Sequence, residues 1–439
     1  MIVRPASVPA TISRLPREVW VLVVVSFVIA LGFGLVAPAL PGFARSFDVS
    51  LTAASIVVSA FAFMRLAFAP ASGKLVSRLG ERPVYIWGIT LVGLSTGACA
   101  LAAEYWQLLV LRSLGGIGST MFTVSAVALL IRLTPPPMRG RATGLWASSF
   151  LLGNVTGPLV GGGLIGISLR APFVVYAIAL FVAAAVAWVF LRRSTLLGAA
   201  AVTDHPEITV REALRHPTYR AALASNFATG WVLFGVRISL VPLFVVEALH
   251  QAESMAGVAL SVFAAGNVAV LLVSGRLADS IGRRLPMLAG LVIAGAATIW
   301  LGFTDGLAEF MIATVIAGMG AGLITPPQGA AVADVIGSKA KGGPVLAAYQ
   351  MAADIGAIIG PVATGALADQ VSYTAAFVLT GSISLLAALV WLGASETLPP
   401  RDDGAPARED HTAADLVAEC RCLDEGPDVP TGQSRHRDL

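Results

Sequence analysis

The chain has 439 residues, of which 56% are hydrophobic and 13% charged, with a mean hydropathy of +0.80 and a formal net charge of +3. A soluble domain carries about 25% charged residues, so this composition excludes a chain that mostly faces water. Three cysteines make no disulfide framework. Cys99 reads as a small apolar residue, and Cys420 and Cys422, with His411 and His436, lack metal-ligand spacing.

Taken in chain order, residues 1–18 form a short N-terminal segment. Six apolar stretches follow at 19–41, 51–73, 84–103, 107–132, 140–165 and 171–191. Each is near the ~20 residues a helix needs to cross a bilayer. A central loop over 192–220 separates them from six more, at 221–247, 255–276, 286–304, 308–333, 343–367 and 373–394. The first stretch is too long for a signal peptide and is expected to stay as a helix. The tail, 395–439, reads as disordered, being rich in Pro, Gly, Asp and Arg. In the central loop, Ile208, Val210, Ala213 and Leu214 fall near helical spacing. They fit either a short amphipathic helix on the membrane face or a plain linker.

Lipid cannot satisfy an open backbone, so the spans must be helices. The sequence thus predicts an all-α membrane protein with twelve transmembrane helices in two bundles, 19–191 and 221–394. Most of the 29 Lys and Arg residues fall in alternate loops, which puts both termini in the cytoplasm. The positive charge therefore reflects topology, and no nucleic-acid partner is expected.

The two halves repeat each other. Gly73 to Pro83 reads GKLVSRLGERP and Gly275 to Pro286 reads GRLADSIGRRLP, an offset of 202 residues between the leading glycines. Gly34 with Pro41 recurs as Gly235 with Pro242, and Gly153, Gly157 and Pro158 recur as Gly356, Gly360 and Pro361. Duplicated halves in a membrane chain point to a transporter.

These motifs resemble those of the major facilitator superfamily. The paired loops, Gly73, Gly80 and Arg82 with Gly275, Gly282 and Arg283, look like its signature. GNVTGPLVGG, from Gly153 to Gly162, looks like the motif of its twelve-span drug:proton antiporter branch. LLVLRSLGGIG, from Leu108 to Gly118, resembles the motif that places one arginine, Arg112, inside the membrane. The resemblance implies alternating access by two six-helix bundles around a cavity lined by spans one, four, seven and ten. It also implies a cytoplasmic latch in which Asp279 meets the N-terminus of span five, near Gly140. Ser77 stands where the first loop usually has an acid, which reduces the matching latch to a neutral hydrogen bond at most.

Gly73 and Gly275 are expected to allow close approach and a tight turn. Gly153, Gly157, Gly161 and Gly162, with Pro158, Gly356, Gly360 and Pro361, are expected to pack helices where the halves meet. Charges inside spans are costly and usually functional. Arg112 reads as a proton-coupling or substrate residue, or as a tie to a backbone carbonyl. Arg237 binds substrate or serves packing. Asp354 is 12 residues into span eleven, ~18 Å deep, and Arg65 is 8 residues above Gly73, ~12 Å deep, so the long arginine can reach it. That pair is a candidate proton-coupling site or a permanent packing tie. Glu247 and Asp334, near span ends, read as solvated.

The expected function is proton-coupled export of small amphiphilic molecules from the inner membrane by a monomer, with protons, small molecules and the lipid bilayer as partners. Three interior arginines against one deep acid favour neutral, zwitterionic or anionic substrates over cationic dyes. The alternatives are a metabolite exporter or facilitator, for instance of a sugar or amino acid, and a non-transporting membrane sensor. No enzyme is expected, since no nucleophile constellation, metal cluster, cofactor motif or phosphate loop is visible, and all five histidines lie outside the spans.

Overall fold

The structure, a computed structural model, describes residues 15–134, 138–192, 208–337 and 343–398. The tail beyond Leu398 and most of the central loop lie outside these residues. Among them, every regular element is helical. The first half holds α1 (Arg17–Val36), α2 (Ala39–Arg45), α3 (Leu51–Leu79), α4 (Glu81–Cys99), α5 (Tyr105–Leu133), α6 (Arg139–Ile165) and α7 (Ala171–Leu191). A single turn, α8 (Val210–Ala213), follows. It is closed by a capping box in which Thr209 and Glu212 bond each other's backbone N–H. The second half begins with α9 (Pro217–Gly230), which continues through a π-helical segment, Trp231–Leu240, α10 (Val241–Leu243) and a second π segment, Phe244–Ala248. It ends with α11 (Ser254–Ile281), α12 (Arg284–Leu301), α13 (Leu307–Ile336), α14 (Gly343–Gln370) and α15 (Tyr373–Leu392).

Among the described residues, ten helical segments are long and apolar enough to cross a membrane; α4, with 19 residues, and α6, with 27, are not among them. The outer faces carry large apolar side chains such as Trp20, Leu94, Phe190 and Leu389, a surface that suits lipid and not water.

The sequence repeat is also a repeat of packing. A Cβ on Gly34 of α1 would lie 2.9 Å from the Cα of Gly157 on α6. The counterpart, a Cβ on Gly235, would lie 2.9 Å from the carbonyl carbon of Gly360 on α14. Each half therefore crosses its first helix over its fifth at a glycine pair, where backbones touch because neither residue carries a side chain.

Two expectations about glycine change here. Helices α3 and α11 run past Gly73 and Gly275 to Leu79 and Ile281, so those glycines are helical and form no turn. The turns fall on Gly80, with φ of 83°, and Gly282, with φ of 100°, angles that side chains rarely adopt. Gly73 and Gly275 have no atom within 4 Å of an added Cβ, so neither supports a close approach in this arrangement.

Second, the glycine run of α6 faces its own half. Added Cβ atoms on Gly153, Gly157 and Gly161 would meet the α1 backbone at 2.6, 2.5 and 2.4 Å. Likewise Gly356 and Gly360 face Phe227 and Trp231 of the second half's first helix. Gly162 is the one of these that crosses, with its Cβ position 2.6 Å from the carbonyl oxygen of Ser254 and 3.1 Å from the Gly257 Cα on α11. Helices α6 and α14 do lie at the boundary, against α11 and α3, but their glycine stripe packs inward.

Candidate functional site

The halves are joined at the end of the bundle that carries the N-terminus of α3. There the Leu51 and Thr52 backbone N–H groups donate to the two oxygens of Asp369, at the end of α14, at 2.9 and 2.7 Å, and the Thr52 hydroxyl also donates to Asp369. Arg45 Nε donates to Glu247 Oε1 at 2.9 Å, and Tyr373 Oη donates to Glu247 Oε2 at 2.7 Å. A carboxylate on a helix N-terminus satisfies orphan N–H groups and meets the positive end of the helix dipole. Glu247 is thus paired, contrary to its expected solvation. At the opposite end, Gly73 and Gly144 of the first half and Gly275 and Gly343 of the second have no neighbour within 4 Å of an added Cβ.

Asp279 lies at that open end. Its side chain is 74% exposed and pairs with Arg283, four residues on, at 3.5 Å. Arg283 also donates from Nε to Asp334 at 3.1 Å, so Asp334 is engaged as well. Ser77 donates its hydroxyl to Lys74 of its own helix, at 2.9 Å. Arg82 sits in the first turn of α4, whose Glu81 accepts from Arg132 at 2.6 Å. The helix N-terminus that does receive a carboxylate here is that of α12. Glu396 accepts from the backbone N–H of Arg283 at 2.8 Å and of Arg284 at 3.1 Å. A side chain on Gly282 would collide with Glu396, its Cβ falling 2.3 Å from Oε2. Burial raises the Glu396 carboxyl, but the N–H groups of Arg283, Leu398, Arg284 and Thr397 outweigh it and hold it below its ordinary value.

Deeper in the bundle, Arg65 of α3 donates from Nη2 to Asp354 Oδ1 of α14 at 2.7 Å, so the structure brings together the two interior charges whose depths differed by one arginine side chain. Their side chains are 27% and 13% exposed. Beside this pair lies a cavity of about 220 Å³ lined by Phe33, Phe61, Arg65, Arg112, Asn154 and Phe234, among others. A second, of about 230 Å³, is lined by Phe33, Asn154, Arg237, Phe263 and Asn267. A third, of about 150 Å³, reaches Thr298, Thr325 and Ser384 past Arg237. Leu233 lines all three, so they are lobes around one side chain of the π segment. Residues of α1, α5, the π segment and α13 contribute, as expected for spans one, four, seven and ten, and α3, α4, α6, α7, α11, α12 and α15 add to them.

Arg112 is 6% exposed, and its guanidinium lies 4.3 Å over the Phe61 ring. Arg237 is 1% exposed and lies 3.9 Å over Phe263. The cavity thus holds cations against aromatic faces within an apolar wall. Sequence reasoning missed Asp369, Glu396 and the Arg45–Glu247 pair. Ser50 marks the α3 start, yet nothing local announces that an acid 318 residues away completes its cap.

Comparison with known proteins agrees with this architecture. The chain's relatives include Tetracycline resistance protein, class B, of Escherichia coli, 28% identical over 69% of this chain and 77% of its own length. Multidrug resistance protein 2 of Bacillus subtilis (strain 168) is 26% identical over 78% of this chain and 86% of its own. Among solved structures, a bacterial homologue of the human lysosomal transporter Spinster, inward-facing and unoccupied, superposes with a TM-score of 0.75 at 17% identity. That superposition covers 85% of this chain and 95% of the other. The family model of the Major Facilitator Superfamily matches residues 22–247 and again 222–423. With duplicated halves, a shared cavity and a match across both, this chain belongs to the Major Facilitator Superfamily.

Proposed function

We propose that the chain is a secondary transporter of the cytoplasmic membrane that exports small amphiphilic molecules in exchange for protons. It would cross the bilayer twelve times with both termini inside, α4 and α6 supplying the two remaining crossings. At 1.5 Å per residue the 19 residues of α4 reach ~28 Å, about the thickness of the hydrocarbon core. The positive-inside bias then assigns the open end to the cytoplasm and the joined end to the outside. The names of the tetracycline and multidrug resistance relatives support efflux as the direction.

The observation that carries the coupling is the Arg65–Asp354 ion pair. It joins the halves beside the cavity at 2.7 Å, on helices that must part when the bundle rocks. A proton and the Arg65 guanidinium are alternative counter-charges for that carboxylate. Separating α3 from α14 removes one and leaves the other, so protonation accompanies one state and release the other. Asp279 is free to meet the N-terminus of α6 when the open end closes, which makes it a latch of the opposite state. Expression in an efflux-deficient host, profiled across a chemically diverse panel with and without a protonophore, tests this. Resistance that the protonophore abolishes is expected; resistance unchanged by it sinks the coupling.

A further inference from the structure

Arg112 and Arg237 are the two buried arginines without an answering acid among the described residues, and Arg237 is the more completely unpartnered. Arg65 faces Asp354, Arg45 faces Glu247, Arg132 faces Glu81 and Arg283 faces Asp334. Arg237 is 1% exposed, yet among the described residues Nε, Nη1 and Nη2 all lack a hydrogen-bond partner. Its guanidinium stacks on the Phe263 ring. No Asp or Glu lines any of the three lobes, whose polar groups are neutral apart from the arginines. A buried cation without a partner is strongly unfavourable, and a guanidinium presents a planar fork of donors matched to a carboxylate. The residue also sits within the π segment, a distortion frequent at functional sites.

We propose that Arg237 is the subsite for the carboxylate of an aromatic organic anion, whose apolar body lies between Phe33, Leu233 and Leu260 in the lobe that Arg237 lines. A turn of the buried side chain brings its fork to the lobe, where the carboxylate supplies the missing counter-charge with two parallel N–H···O bonds in the guanidinium plane while Phe263 stacks on its face. The lobe's size and its mostly apolar lining suit an aromatic body carrying a single charge. Arg112, on the other half, lies beyond Phe33 and Asn154, which line both lobes, and adds a second positive charge of the same sign. This rests on the transport reading for its physiological meaning, but its test does not need transport.

The test uses the purified full chain in discs of neutral phosphatidylcholine at neutral pH. Three probes share one body: 2-naphthylacetate, 2-naphthylacetamide and 2-naphthylethylamine. The wild type is expected to bind the acid about tenfold or more tighter than the amide, with the amine weakest. R237Q is expected to bring the acid-to-amide ratio close to one, and R237K to retain part of the preference. Equal binding of acid and amide by the wild type overturns the proposal without any variant, as does an undiminished preference in a folded R237Q. Acid preference without proton-driven efflux upholds the subsite and defeats the transport reading. Proton-driven efflux of the amine, with acid and amide bound alike, does the reverse.

Discussion

Arg45 and Glu247 bond across the two halves at 2.9 Å and stand 202 residues apart, the offset that separates Gly73 from Gly275. The nearest repeat landmark, Pro41 with Pro242, is offset by 201, so the two residues sit within one position of equivalence in the repeat, at the joined end. Both side chains are about one-third exposed, 35% and 31%, which limits the pair to roughly 0.2–1 kcal/mol. E247Q should therefore shift the balance of open and closed states by at most about fivefold. Spin-label distances across the joined end check this, and the swap R45E with E247R should restore the original distribution.

Substitutions at glycine should separate the seated positions from the open ones. A Cβ on Gly356 would fall 2.2 Å from the Phe227 carbonyl oxygen, so Gly356→Ala should destabilise by about 1–3 kcal/mol. Gly73→Ala meets nothing within 4 Å inside a helix and should be neutral or stabilising by up to about 1 kcal/mol in this state. Melting temperatures of the two variants in one detergent decide it.

What could be read from the sequence was set by what is local. Helix existence, the duplication and the depth match of Arg65 with Asp354 all follow from spacing along one chain, and the structure agrees on each. Which glycine makes the turn is not set locally, because Gly73 and Gly80 can both close it until the helix end is known, and α3 runs to Leu79. The direction of the glycine stripe was misread for a related reason: the motif demands a close neighbour but does not say whether α1 or the other half supplies it. Asp369 on the N-terminus of α3 and Glu396 on that of α12 were invisible, since their partners lie 318 and 113 residues away with no shared motif.

Glu396 gives a pH dependence with a definite sign. Its folded carboxyl is held below its ordinary value, so the stability it contributes is complete above the unfolded carboxylate range and is lost as pH falls through the lower folded value. The wild type should therefore lose melting temperature in the acid range more steeply than E396A. Above that range the variant should be less stable by roughly 1 kcal/mol, the size of a lost cap. Identical acid limbs for the two proteins would remove Glu396 from the account.

Asp279 is 74% exposed here and pairs with its neighbour Arg283, so D279N should leave the stability of this state within about 0.5 kcal/mol of wild type. Transport should nevertheless fall, and by more than in S77A, because only the acid has a charge to offer a helix N-terminus when the open end closes. Ligand affinity should stay unchanged. Transport by D279N equal to wild type at equal expression rules the latch out.

Asp354 carries the sharpest expectation. Its carboxylate faces Arg65 at 2.7 Å, and the two helices that hold the pair belong to different halves. If the pair were only a packing tie, D354N would cost stability by leaving Arg65 without its counter-charge, and R65Q would cost a similar amount. If the carboxylate exchanges its arginine for a proton during the cycle, D354N should fold, bind substrate and exchange it across vesicles, but no longer follow an imposed pH gradient. R65Q should differ from it, keeping the carboxylate and hence some gradient-driven movement. Substrate-dependent proton movement that persists in D354N removes Asp354 as the coupling site. Failure of both variants to insert leaves the pair as a tie between the halves. A gradient-insensitive D354N beside a gradient-responsive R65Q is the expected result, because only the carboxylate can carry the proton.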